Sequence, residues 1–280
     1  DNSCSMSEEQ AALAENFPAF FQYFATSGLD YHIGVVSTDM VDPQQAGRLR
    51  DVGGRRWVQE DSPNPEALFA DMVQMGTTGH WVEKGRAATY TAIELLKDSD
   101  NQGFVRDDAG MHITVVSDEN DDSGASPVSR DEFVDYLLNL RWSRQRVSFS
   151  SIVGPTSGCP DIGTPGTEYL EVTRRVGGVV WPICSDDWSD MLDQLGFLAV
   201  GLTREFYLSR RPVVGSLELQ VEDGGNVLTN FVRGTDWHYD EVRNSVVFEE
   251  YLPNPLATVV VTYEVRATDQ SADDLTPPAE

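Results

Sequence analysis

The sequence predicts an α/β protein: a doubly wound, mainly parallel sheet with helices on both faces, followed by a small antiparallel β domain. Three observations carry this. Short apolar runs alternate with amphipathic stretches across residues 1–211, the order expected of parallel strands joined by helical crossovers. After Pro212 the texture changes to β-rich runs with no helical period. Hydrophobic residues make up 40% of the chain and charged residues 24%, an ordinary globular mix with material for a full core. The expected divisions are 1–211 for the α/β domain, 212–267 for the β domain and 268–280 for a disordered tail rich in Asp, Ser, Thr and Pro.

The elements follow in order. Leu13, Phe17, Phe20 and Phe24 recur at spacings of three and four, which predicts a helix over 7–27, kinked or broken at Pro18. Residues 31–37 form a short apolar run suited to a buried strand, and 55–59 suit a short edge strand. A helix is expected over 64–74, with Pro65 near its start, and another over 81–97. Residues 111–117 read as a buried strand, 130–141 as a helix with Phe133, Leu137 and Leu140 on one face, and 146–153 as a strand. A helix over 166–176, a strand over 178–183 and a helix over 187–200 close the series. The sheet is therefore expected to contain 32–36, 112–116, 147–152 and 179–183. In the second domain, 216–221, 227–232, 246–250 and 258–265 read as strands, with turns at Gly224-Gly225 and Pro253-Asn254-Pro255. Trp237 and Tyr239 are expected to pack its core.

The charge balance is unusual. Forty-six acidic residues against 20 basic give a net charge of −26. Such a chain repels nucleic acid and anionic membrane surfaces and attracts divalent cations. It also has no apolar run long enough for a membrane-spanning helix. Of the three cysteines, Cys159 and Cys184 bracket one helical stretch. A disulfide between them suits an exported protein; two buried free thiols are the alternative.

The residues that carry chemistry begin at Asp1. Asp1-Asn2-Ser3-Cys4-Ser5 places a carboxylate and two hydroxyls on one tight loop directly before a helix, a set of hard oxygen donors for a small divalent cation. In a doubly wound sheet, ligands bind beyond the carboxyl ends of the strands. Two further loops are placed to join there. Gly76-Thr77-Thr78-Gly79 offers a hydroxyl, and Ser117-Asp118-Glu119-Asn120-Asp121-Asp122-Ser123 directly follows the apolar strand 113–116.

Together these residues resemble the metal-ion-dependent adhesion site of von Willebrand factor type A and integrin I domains. The family pattern is D-x-S-x-S, then a threonine on a second loop, then an aspartate after the fourth strand. On this chain it matches Asp1, Ser3, Ser5, Thr78 (or Thr77) and Asp118, within a resemblance spanning residues 1–205. It implies a Rossmann-like fold and a bound Mg²⁺, or else Mn²⁺ or Ca²⁺, whose shell is completed by a carboxylate of a protein ligand. The implied protein is a non-enzymatic adhesion or binding module, extracellular or on the cell surface, of the exported bacterial kind. Cys4 stands where the family usually has glycine; a thiol is soft beside a hard ion and is read as a bystander. The apolar strand that precedes the motif in the family does not stand before Asp1. The sequence is therefore expected to be a piece of a longer chain, with a lipoprotein anchor upstream as one form of it, and the space beside 112–116 to be a gap or to be filled from elsewhere.

Other readings remain at this stage. A metal-dependent hydrolase or phosphoryl-transfer enzyme would use an Asp after a strand, but Ser3 stands where a second acid is usual, and neither a G-x-S-x-G elbow nor a P-loop is found. A structural subunit with a degenerate site is the third. The acids after Asp118 form either a solvated loop or a second Ca²⁺ site. None of the four histidines has zinc-ligand spacing; His32 and His112 suit core or edge positions. His80 and Trp81 either line the binding face or pack.

Overall fold

A computed structural model describes residues 1–27, 29–141, 146–160, 162–200, 204–241, 244–251, 253 and 257–266. The chain divides into two compact units, Asp1–Val200 and Gly201–Glu280. The boundary thus falls before the expected position at 211, because Glu205–Tyr207 pairs within the second unit.

The first unit is built on three parallel strands, β1 (Met111–Ser117), β2 (Val147–Val153) and β3 (Val180–Pro182), in the order β1-β2-β3. β2 is central and buried at every position, as its run of apolar residues and serines requires. The serines are satisfied: Ser151 Oγ lies 2.6 Å from Thr173 Oγ1, and Ser150 Oγ accepts from the Val179 amide at 3.0 Å. Strand alternation sends Val115, Val147, Phe149 and Val153 into one apolar cluster with Phe133, Leu137 and Val172, and Ile152 into a second with Met6, Met191, Leu192 and Leu195. The sheet is therefore covered on both faces.

The helices are α1 (Ser7–Ser27), α2 (Pro65–Val73), α3 (Gly85–Tyr90), α4 (Arg130–Asn139), α5 (Thr167–Val176) and α6 (Trp188–Ala199). α1 continues through Pro18 without the break the sequence suggests. It is held from two sides: Phe17 stacks on Phe69 of α2 at 3.7 Å, and α6 packs closely at Gly196, where a Cβ would lie 2.3 Å from the Phe20 carbonyl oxygen. α4 opens with a full capping box between Ser129 and Glu132. α3 starts at Gly85, later than the expected 81, and its last turn, Thr91–Leu95, widens to π geometry, with the Leu96 amide on the Thr91 carbonyl at 2.9 Å.

Residues 32–36 do not join the parallel sheet. They make single antiparallel bridges instead, Ile33 with Val58 and Val36 with Leu49, and 55–59 adds only a bridge from Arg55 to Val52. The opposite side of this segment faces a cavity of about 230 Å³, which it lines together with His112, Thr114, Val115 and Val116 of β1. No ladder joins the two among the described residues.

The second unit holds two three-stranded antiparallel sheets, β4 (Glu205–Tyr207), β8 (Ser245–Phe248) and β7 (Trp237–Asp240) in one, and β6 (Asn226–Leu228), β5 (Glu218–Asp223) and β9 (Thr258–Thr262) in the other. The β5–β6 hairpin turns at Gly224-Gly225, both at positive φ. Trp237, Val221, Val246 and Phe248 fill the core, with Tyr239 packed against it. The expected tail and part of the Pro253-Asn254-Pro255 turn lie outside the described residues. Among the described residues no helix is long and apolar enough to cross a membrane.

Candidate functional site

β1 ends at Ser117, and the loop 1–5 is fastened there. The Asp1 amino group donates to the Val116 carbonyl at 3.1 Å, and the Asp1 carboxylate accepts from the Ser117 hydroxyl at 2.6 Å and from the Ser3 amide at 2.8 Å. Both carboxylate oxygens of Asp1 are thus engaged in shaping the loop. The residue spacing of two brings the Ser3 and Ser5 hydroxyls within 3.2 Å of one another, while Cys4 faces solvent.

A second set of contacts holds the loop from outside. Asn2 is buried; its amide oxygen accepts from Ser37 Oγ at 2.8 Å, and its carbonyl accepts from the Gly79 amide at 2.9 Å. Ser37 Oγ in turn accepts from the Asp39 amide, and Asp39 accepts from the amides of Val41 and His80. Burial disfavours the charged form of Asp39, but those backbone donors outweigh it and hold its carboxyl below the usual range. Gln10 of α1 bridges the Asp1 and Gly76 carbonyls, each at 3.0 Å. The loops 1–5, 37–42 and 76–80 are thereby joined through amides and hydroxyls.

Asp118 follows β1 as expected and is 3% exposed. Its backbone carbonyl accepts from the amides of Gly163 and Thr164, so its position is fixed, yet its Oδ1 is buried without a hydrogen-bond partner. The rest of the acidic run is committed elsewhere. Asp121 forms a buried ion pair with Arg86 at 3.0 Å and accepts from Ser123 Oγ; Arg86 also donates to the Val128 and Gly124 carbonyls. Asn120 accepts from the Glu168 amide in the first turn of α5. Neither a simple solvated loop nor an available set of three acids describes this segment.

Glu83 is a residue that sequence reasoning missed. It lies in the loop just before α3, is 1% exposed, and accepts from the Thr38 hydroxyl through Oε2 while Oε1 has no partner. Its electrostatic neighbours are the Asp1 amino group, Glu119 and Asp118. Burial raises its carboxyl above the usual value, opposed by the Thr38 hydroxyl and the Asp1 ammonium. Burial, then Asp118 and Asp122, raise Glu119.

Of the five residues predicted from sequence, the structure places Asp1, Ser3 and Ser5 on one loop fastened to the end of β1, and Asp118 directly follows that strand. Thr78 is exposed, and among the described residues no hydrogen bond joins its hydroxyl to the other four. Trp81 is 73% exposed, stacked on His80, and not part of a helix. Among the described residues no three Asp, Glu, His or Cys side chains close on one point. The donor set here mixes carboxylate and hydroxyl oxygens, a chemistry that fits Mg²⁺, Mn²⁺ or Ca²⁺.

The Cys159–Cys184 disulfide is formed, with Cα atoms 6.4 Å apart. Compared with known protein families and with curated proteins, the chain matches none.

Proposed function

We propose that this chain is a metal-dependent binding module whose first unit is a Rossmann-like domain of the von Willebrand factor type A kind. A divalent cation, Mg²⁺, Mn²⁺ or Ca²⁺, is held by Ser3, Ser5 and Asp118, with Asp1 and Thr78 contributing through water, and it bridges to a carboxylate of a protein ligand. The observation that carries this reading is the buried Asp118 Oδ1, left without a partner one residue after Ser117, to which the loop presenting two hydroxyls is fastened through Asp1. A buried carboxylate oxygen is ordinarily satisfied, and a cation is the partner this donor set suits.

The cation would supply local positive charge on a chain whose net charge of −26 otherwise repels an acidic partner. The exposed Trp81, two residues from Glu83, offers that partner an aromatic contact. A disulfide suits an exported or cell-surface protein.

Calorimetry with Mg²⁺, Mn²⁺ and Ca²⁺ tests the reading. Binding of at least one ion is expected in the wild type, lost in Asp118→Ala and kept in Asp122→Ala. Wild-type protein that binds none, or Asp118→Ala that binds as well as wild type, would favour a structural subunit with a degenerate site. Turnover of generic ester or phosphate substrates with the ion would favour the hydrolase.

A further inference from the structure

We infer that Glu83, oriented by Thr38, supplies the cation ligand from the second loop, the role that the sequence pattern gives to Thr78. The inference rests on the metal-site reading above and adds a residue to it.

Glu83 and Thr78 differ in every property that matters for coordination. Thr78 is exposed, whereas Glu83 is 1% exposed with Oε1 unpartnered. A carboxylate oxygen removed from water and left unpaired is uncommon in a folded protein, and Glu83 Oε1 and Asp118 Oδ1 are both such oxygens, on loops joined where the Asp122 amide meets the Glu83 carbonyl. Two like charges repel unless something positive lies between them. A divalent cation at the Ser3–Ser5 hydroxyl pair would be such a charge.

The backbone holds Glu83 in place on both sides. Its carbonyl accepts from the Asp122 amide at 2.7 Å, and the Lys84 amide donates to the Thr38 carbonyl at 3.2 Å. The Thr38 side chain, also buried, occupies Oε2 and leaves Oε1 as the free acceptor. This is the arrangement of a ligand fixed by a neighbouring hydroxyl. Glu83 and Asp118 together balance a doubly charged ion, while Asp1, with both oxygens engaged, acts from the outer shell.

The experiment compares wild type with Glu83→Gln, Thr38→Val, Thr78→Ala and Asp118→Ala, measuring Mn²⁺ and Ca²⁺ affinity by calorimetry and thermal unfolding in chelator. Glu83→Gln should weaken ion binding by well over about tenfold and Thr38→Val by about tenfold, while Thr78→Ala should bind like wild type. In chelator, Glu83→Gln should unfold at the wild-type temperature or above it, because it removes a buried charge; a purely structural glutamate would give a lower temperature. Glu83→Asp, which keeps the charge and shortens the reach, covers failure of Glu83→Gln to fold, and it too should bind more weakly. Wild-type affinity in Glu83→Gln or Glu83→Asp, with loss in Asp118→Ala, overturns the inference and leaves the site. Loss in Thr78→Ala alone returns the role to Thr78. No binding by wild type removes both.

Discussion

Gly79 has no room for a side chain: a Cβ there would lie 2.3 Å from the Asn2 amide oxygen. That oxygen is the acceptor for Ser37 Oγ, so a methyl at 79 must displace the contact that ties the Asp1 loop to the 37–42 loop. Gly79→Ala is expected to lower stability by about 1–3 kcal/mol and to weaken ion binding as well. Chemical denaturation and calorimetry on the same variant check both effects. His112 makes a second prediction at this scale. It lines the cavity beside β1, and burial lowers it from the usual 6.5 to about 4. The folded state therefore keeps it neutral where the unfolded chain takes up a proton. Its contribution to stability is complete above pH 6.5 and is lost as the pH falls toward 4. Thermal unfolding of wild type and His112→Gln should converge across this window, and parallel curves would show that His112 is not responsible.

Much of the sheet was legible in sequence at the scale of elements. Residues 111–117, apart from His112, and 147–153 carry apolar or small residues, the composition of a doubly covered strand. The run 31–37 has the same composition yet makes only bridges, because an apolar segment can be buried against a cavity wall as well as within a ladder. The β4 strand escaped notice for its brevity, and β7 because Trp237-His238-Tyr239-Asp240 alternates too briefly to stand out. The loss that mattered most was at 81–84. Extending the α3 helix back over these residues places Glu83 in a helical turn, where an acid is unremarkable, and the true start at Gly85 leaves it in a loop, against Thr38. Asp1, Ser3, Ser5 and Asp118 are proposed from local motif and strand position alone, while the Glu83–Thr38 contact shows only in three dimensions. The same segment supplies a test. Arg86, at the start of α3, is the buried partner of Asp121. Arg86→Met leaves that carboxylate unpaired and should cost about 3–5 kcal/mol, whereas Arg86→Met combined with Asp121→Asn should recover part of it in a double-mutant cycle.

At the scale of the whole molecule, covalent linkage and net charge act together. The Cys159–Cys184 bond closes a sequence separation of 25, and its reduction is expected to lower stability by about 3 kcal/mol; titration of the native, unreduced protein should find the single exposed thiol of Cys4. The charge of −26 complicates any test of ion binding, because salt of every kind screens self-repulsion and raises stability. Unfolding temperatures must therefore be compared at equal ionic strength. In NaCl, wild type and Asp118→Ala should rise together, since screening depends on total charge and the two differ by one acid among 46. Replacing part of the NaCl by MgCl₂, MnCl₂ or CaCl₂ at the same ionic strength should then raise wild type further, by about 2.7 kcal/mol when the free ion stands at 100 times its dissociation constant, and leave Asp118→Ala unmoved. An equal gain in both proteins would assign the effect to diffuse attraction of divalent ions by the acidic surface and not to a site.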